Sequence, residues 1–298
     1  MNPFLVSVPA AVIATGGVAA YGAAYPRAQL FGSTICRTNS PRKLAITFDD
    51  GPNPTMTPKL LDLLDRHQAK ATFFVIGGFA RQCPELVRET AARRHIIGNH
   101  TGTHPNLFWL APSQIDAELR ACQEAISETL GAAPKWFRPP YGFRNPWVIP
   151  AAAALGYQTA MWTLIPGDWR EKPADWLIAR MRPIAARAQR AMMVRAPGNN
   201  ENAAGEKTDP SASAKRAERT TRASGRGRPR AEGQDVAEDR GSEGERGAGD
   251  ILCLHDGYHR QQNYDRTRTL TALEHWLPRW RDLGLEFVTM EEAVQPLD

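Results

Sequence analysis

From Lys43 onward, short apolar runs rich in β-forming residues alternate with stretches of helical period, and this alternation restricts the fold more than any other feature of the chain. Apolar runs at 44–48, 71–76, 95–98, 136–138, 157–163, 251–255 and 286–288 predict seven strands. Stretches at 57–67, 84–94, 112–130, 146–155, 173–188 and 267–283 predict helices, several opened by proline or by Ser, Thr, Asn or Asp at the entry position. Strands joined through helices run parallel in one sheet, and functional loops then collect at the C-terminal ends of the strands. Periodicity alone leaves two architectures, an open doubly wound sheet and a barrel. A chain of 298 residues has room for one such domain with extras, and not comfortably for two.

The residues at those strand ends are chemical rather than decorative. TFDDG occupies 47–51, HTGTH 100–104, RPPYG 138–142, GDW 167–169 and LCLHDG 252–257. Asp49 and Asp50 leave a strand side by side, and His100 and His104 are spaced so that both imidazoles can reach one cation from a helical turn or a loop. Two imidazoles with one carboxylate leave coordination positions open for water and substrate, as catalytic metal sites do. Zinc is the first choice for such donors, and cobalt, manganese, nickel and iron take the same types. Hydrolysis also needs a proton for the leaving group, and His255 is a group able to supply it near neutral pH.

In order and spacing the five segments resemble the polysaccharide deacetylase family, also called the NodB-homology domain or carbohydrate esterase family 4. The resemblance runs from Lys43 to Val294 and is broken by one long insertion. It implies a distorted, incomplete (β/α) barrel of about seven parallel strands. It further implies that Asp50, His100 and His104 are the metal ligands, that Asp49 is the general base, and that Arg138 orients Asp49. By the same resemblance the backbone N–H of Tyr141 is an oxyanion donor, Asp168 is the partner of the acid His255, and Trp169 and Leu254 line the pocket for the acetyl methyl, with Trp162 and Trp136 nearby. Asp256 reads as a structural hydrogen-bonding residue, and His67, His95, His259 and His275 match no motif. The substrate implied is an N-acetylated glycan, cell-envelope or chitin-like, with acetate as product. An O-acetyl ester or a small amide on the same scaffold is the alternative, and a non-catalytic glycan-binding protein is a third reading. It is motivated by Ile165, which stands where many relatives carry an acid, and by the insertion.

The flanks are of different character. Residues 4–24 carry no charge and are long enough to cross a bilayer at 1.5 Å per residue, so residues 1–42 read as a membrane anchor or signal segment with a linker. The catalytic domain then occupies 43–192 and 250–298, in the cell envelope, anchored or secreted, with a cytoplasmic placement left open. Residues 193–249 are Gly-, Ala-, Arg-, Glu-, Ser- and Thr-rich, basic over 215–230 and mostly acidic over 232–245. With few large apolar residues, such a stretch reads as a disordered insertion extending away from the barrel. A binding arm and a frame-shifted stretch are the other readings. The basic and acidic halves of the stretch largely offset each other, and no nucleic-acid partner is expected. Four cysteines without paired spacing predict free thiols rather than a disulfide framework, and nothing in the sequence fixes an oligomeric state.

Overall fold

The computed structural model describes residues 16–195 and 247–296. Its centre is β2 (Lys43–Gly51), which has parallel neighbours β3 (Thr72–Val75) and β8 (Glu286–Val288) and the parallel partner β7 (Gly249–His255). Beyond β3 follow β4 (Ile96–Asn99), β5 (Trp136–Phe137) and β6 (Gln158–Thr159), all parallel, while β1 (Arg37–Thr38) closes the β7 edge antiparallel. A parallel bridge from Leu164 to Leu252 brings the chain leaving β6 back to β7, so the sheet curls toward closure. The seven parallel strands and this partial closure make the incomplete (β/α) barrel that the motifs imply.

Both faces of β2 are covered, as parallel strands require, and its side chains divide by the two-residue period of a strand. Leu44, Ile46 and Phe48 point into the larger core with Leu60, Leu64, Leu252 and Leu254, where the helices Thr57–Arg66 and Thr267–Asp282 pack. Ala45 faces the other way, into the barrel interior with Phe74, Trp136, Met161, Ile251 and Cys253. The same parity delivers Thr47 and then Asp49 to the interior, at the C-terminal end of the strand.

The domain takes in residues ahead of Lys43. Ala23 and Ala28 are buried, Ile35 bridges Ala160, and the buried Arg144 donates to the carbonyl of Ala28. Of the uncharged run at 4–24, the part up to residue 15 lies outside the described residues; 16–24 are helical. Among the described residues no helix is long and apolar enough to cross a membrane. Most of the low-complexity stretch, 196–246, also lies outside the described residues. The four cysteines are free.

Candidate active site

Adjacent residues of a regular strand point to opposite faces, so Asp49 and Asp50 share a cavity only if the strand is broken between them. It is: the β2–β3 register shifts between Asp49 and Gly51, and Asp50 takes φ +70°. Both carboxylates are buried and both line one cavity of about 270 Å³. With them the cavity collects His100, His104, Tyr141, Trp162, Ile165, Trp169 and His255. A cavity of similar size, about 280 Å³ beside Met192 and Leu285, has Arg42 as its one charged lining residue and holds no such cluster.

The loops that carry these residues are strained. Thr101, His104 and Tyr141 all have positive φ, 68°, 63° and 58°, a region costly for residues with a β-carbon and tolerated where surrounding bonds enforce it. At Thr101 the enforcement is visible: its N–H donates to Asn99 Oδ1 at 2.8 Å, and its own Oγ1 accepts from the N–H of His104 at 3.0 Å.

Asp50 Oδ1 lies 3.5 Å from His100 Nε2 and 3.1 Å from His104 Nε2. The tautomer of His100 is set from behind, because its Nδ1 is 2.8 Å from the carbonyl of Arg138, which can only accept. Its Nε2 is thereby turned toward the Asp50 carboxylate. Burial drives the His104 pKa down against the opposing pull of Asp50. Burial pushes the Asp50 carboxyl up, yet His100, His104 and His259 outweigh it and hold Asp50 well below the ordinary carboxylate value. Asp50 Oδ1 and His104 Nδ1 are buried without a hydrogen-bond partner. Two imidazole nitrogens turned toward one buried carboxylate oxygen form a His/carboxylate donor set of the chemical type that suits a divalent cation.

Asp49 is held differently. Arg138, with no exposed surface, donates from Nη1 to Asp49 Oδ1 at 2.8 Å and to Thr47 Oγ1 at 2.6 Å; its Nη2 and Nε go to the carbonyls of Met161 and Ala160. All three nitrogens of the guanidinium are thereby engaged, and the Phe74 ring lies 4.2 Å beneath it. The thiol of Cys253 donates to the other oxygen, Asp49 Oδ2, at 3.3 Å, and burial keeps that thiol well above its ordinary pKa.

His255 sits opposite Asp49 in the β2–β7 register. Asp168 Oδ1 accepts from its Nδ1 at 2.8 Å and Asp168 Oδ2 accepts from its backbone N–H at 2.8 Å, while Thr269 Oγ1 donates to Oδ2 at 3.0 Å. Burial lowers the His255 pKa, but Asp168, Asp50 and Asp49 more than reverse this and carry it to about 9. Trp169 meets its ring edge-on at 5.4 Å.

Three residues come out otherwise than the motifs suggest. Leu254 is fully buried in the outer core and does not line the cavity; in β7 it has the opposite parity to His255, and the inward neighbour of His255 is Cys253. Trp136 belongs to the inner core, whereas Trp162 lines the cavity. His259 is not a bystander: it lines the cavity, with Nδ1 3.8 Å from Asp50 Oδ2. Arg266, which no motif marks, is buried at the cavity wall and ties the carbonyls of Gly257 and Asp168 together. Asp256 does behave structurally, accepting from Thr57 Oγ1; burial raises its carboxyl to about 7.

The sequence profile of polysaccharide deacetylases matches residues 37–160. A chitooligosaccharide deacetylase of Bradyrhizobium sp. (strain ANU 289) is 39% identical over 149 residues, covering 48% of this chain and 68% of that protein. A peptidoglycan-N-acetylglucosamine deacetylase of Bacillus cereus is 29% identical over 257 residues, covering 86% of this chain and 90% of that protein. Among solved structures, a peptidoglycan N-acetylglucosamine deacetylase bound to a benzamide superposes with a TM-score of 0.62 at 24% identity, over 89% of this chain and 93% of the other. A family pseudoenzyme from Bacillus anthracis superposes with a TM-score of 0.60 at 18% identity, over 88% and 69%. Since active and inactive proteins share this fold, the fold does not decide catalysis and the side chains in the cavity must.

Proposed function

The chain belongs to the polysaccharide deacetylase family, and from that premise we propose that it is a metal-dependent hydrolase of linear amides that removes the acetyl group from N-acetylglucosamine units of a cell-envelope or chitin-like glycan, releasing acetate. One observation carries the reading. Asp50 Oδ1, buried and without a hydrogen-bond partner, is faced at 3.5 Å and 3.1 Å by the Nε2 atoms of His100 and His104, three atoms of metal-donor type turned toward one another inside the cavity. Asp50, His100 and His104 would hold that cation, zinc before cobalt, manganese, nickel or iron. When bound, it supplies Lewis acidity, polarising the amide carbonyl and making a water acidic enough to react near neutral pH.

The remaining work belongs to side chains. Asp49, its carboxylate aimed by Arg138, takes the proton of the attacking water. The backbone N–H of Tyr141, in a loop forced to positive φ, donates to the oxygen on which negative charge develops. His255, with Nδ1 committed to Asp168, presents Nε2 as the acid that protonates the amine nitrogen, so the sugar leaves as a neutral amine rather than an anion. Trp162, Ile165 and Trp169 give the cavity an apolar wall suited to an acetyl methyl. Ile165 thus contributes surface where an acid would contribute charge. The uncharged run at 4–24 supports placement in the envelope, anchored or secreted.

Acetate release from N-acetylglucosamine oligomers, compared with O-acetylated xylan, tests the reaction. Wild type should release acetate from the oligomers in a chelator-sensitive manner, and Asp49→Asn should lose about 100-fold or more, the scale of a lost general base. Release from the ester alone would replace the amide by an ester, and no loss in Asp49→Asn would remove Asp49 from the mechanism.

A further inference from the structure

His259 follows β7 by four residues, matches no motif of the family, and yet lines the cavity beside Asp50, His100 and His104. Its ring lies over that of His104, centroids 4.4 Å apart and planes 14° apart. Its Nδ1 approaches Asp50 Oδ2 at 3.8 Å, the oxygen that does not face His100 and His104. One donor atom each from Asp50, His104 and His259 lie within 4.8 Å of one another, the spread of groups able to share an ion. The other ring nitrogen, Nε2, is 3.2 Å from the hydroxyl of Tyr141. Metal-bound imidazoles show this division of labour, with one nitrogen turned to the ion and the other held by an outer partner that fixes the ring.

We propose that His259 is a further protein ligand to the cation, so that this chain offers four donors, Asp50, His100, His104 and His259, where the family's motifs supply three. The inference rests on the reading that the first three hold a cation. It gives the Tyr141 side chain a task separate from its backbone: the hydroxyl steers His259 while the N–H faces substrate. A fourth protein donor occupies a position otherwise left to water, which strengthens retention of the ion and raises its coordination number once water and substrate bind.

Cation binding itself is the test, read without substrate. The full chain, stripped with chelator, is titrated with Co²⁺ and with Zn²⁺ by calorimetry, and the visible absorption of the Co²⁺ form is recorded. His259→Ala should bind one ion at least about tenfold more weakly than wild type, no less than the loss expected from removing a ligand's outer partner, with a changed Co²⁺ spectrum. His259→Phe keeps an aromatic ring over His104 but has no donor nitrogen, and should match His259→Ala. Tyr141→Phe, which keeps the backbone N–H, should show a smaller loss of the same kind. Equal affinity and an unchanged spectrum in His259→Ala would overturn the assignment, as would wild-type binding by His259→Phe, which would make the ring a packing element. If wild type takes up no stoichiometric ion, the three-ligand reading fails along with it. Uptake by wild type with no effect of either His259 variant sinks this inference alone.

Discussion

His255 and Asp168 form the pair whose protonation is most open to measurement. The folded-state pKa of His255, about 9, is above the ordinary value of 6.5. The protonated pair therefore contributes its full stability below about pH 6.5, and the contribution is lost as pH rises through about 9. Thermal melts of chelator-treated protein should show the melting temperature falling across that interval, and Asp168→Asn should flatten the fall. Asp256, its carboxyl raised from 3.8 to about 7, adds a fall of its own that runs into the lower end of this interval, so the difference between wild type and Asp168→Asn, not the wild-type curve alone, reports the pair. An equally steep fall in both would show that Asp168 does not hold the His255 proton. At this scale the sequence is legible where chemistry demands a residue type: two carboxylates and a histidine pair at strand ends suit few tasks besides metal-assisted hydrolysis. It is less legible where a residue acts through contact. Arg266 and His259 matter through what their loop brings them against, and no spacing records that. Leu254 is different, because the pattern itself decides it: with His255 facing inward, a two-residue period makes Cys253 and not Leu254 its companion.

Two elements interlock to make the site, the broken end of β2 and the turn that follows β7. A β-carbon on Gly257 would overlap the carbonyl oxygen of Asp50 and stand 2.6 Å from its carbonyl carbon, and these are backbone atoms that no rotamer change can clear. Gly257→Ala should thus displace Asp50 itself, weakening cation uptake and costing about 1–3 kcal/mol as an overpacked core does. Calorimetric titration and urea unfolding of the same variant check both halves, and normal binding in a stable Gly257→Ala would show that the turn does not define the position of Asp50. Element boundaries are readable where the pattern is long. The helix Pro112–Leu130 has the bounds its period predicts, and Thr57–Arg66 and Thr267–Asp282 each end one residue early. The six-residue helix Gly77–Gln82 is too short to show a period. The run at 157–163 becomes the two-residue β6 followed by bridges, since its later carbonyls turn inward to accept from Arg138. The short helix Met290–Val294 has a readable start, a Thr289–Glu292 capping box.

For the molecule as a whole, the question posed by the sequence is whether the low-complexity stretch disturbs the acid His255. Its points of attachment answer in geometric terms. The chain re-enters the sheet at Gly249, the first residue of β7, and His255 is the last. At about 3.3 Å per residue the seven-residue strand sets these roughly 20 Å apart, with attachment at the end of the sheet away from the cavity. The backbone at Gly249 is itself tightly held, its α-carbon environment crowded by the carbonyls of Ser40 and Lys43, so β7 is anchored before it reaches the site. Replacing residues 196–246 with a flexible Gly/Ser linker should therefore leave cation affinity and acetate release within about twofold of the full chain, since an added loop of this kind changes mainly closure entropy, which grows slowly with length. Side-by-side titration and turnover of the two proteins decide it. A deletion that folds, by an unchanged melting transition, but loses cation binding would mean that the stretch contributes to the site.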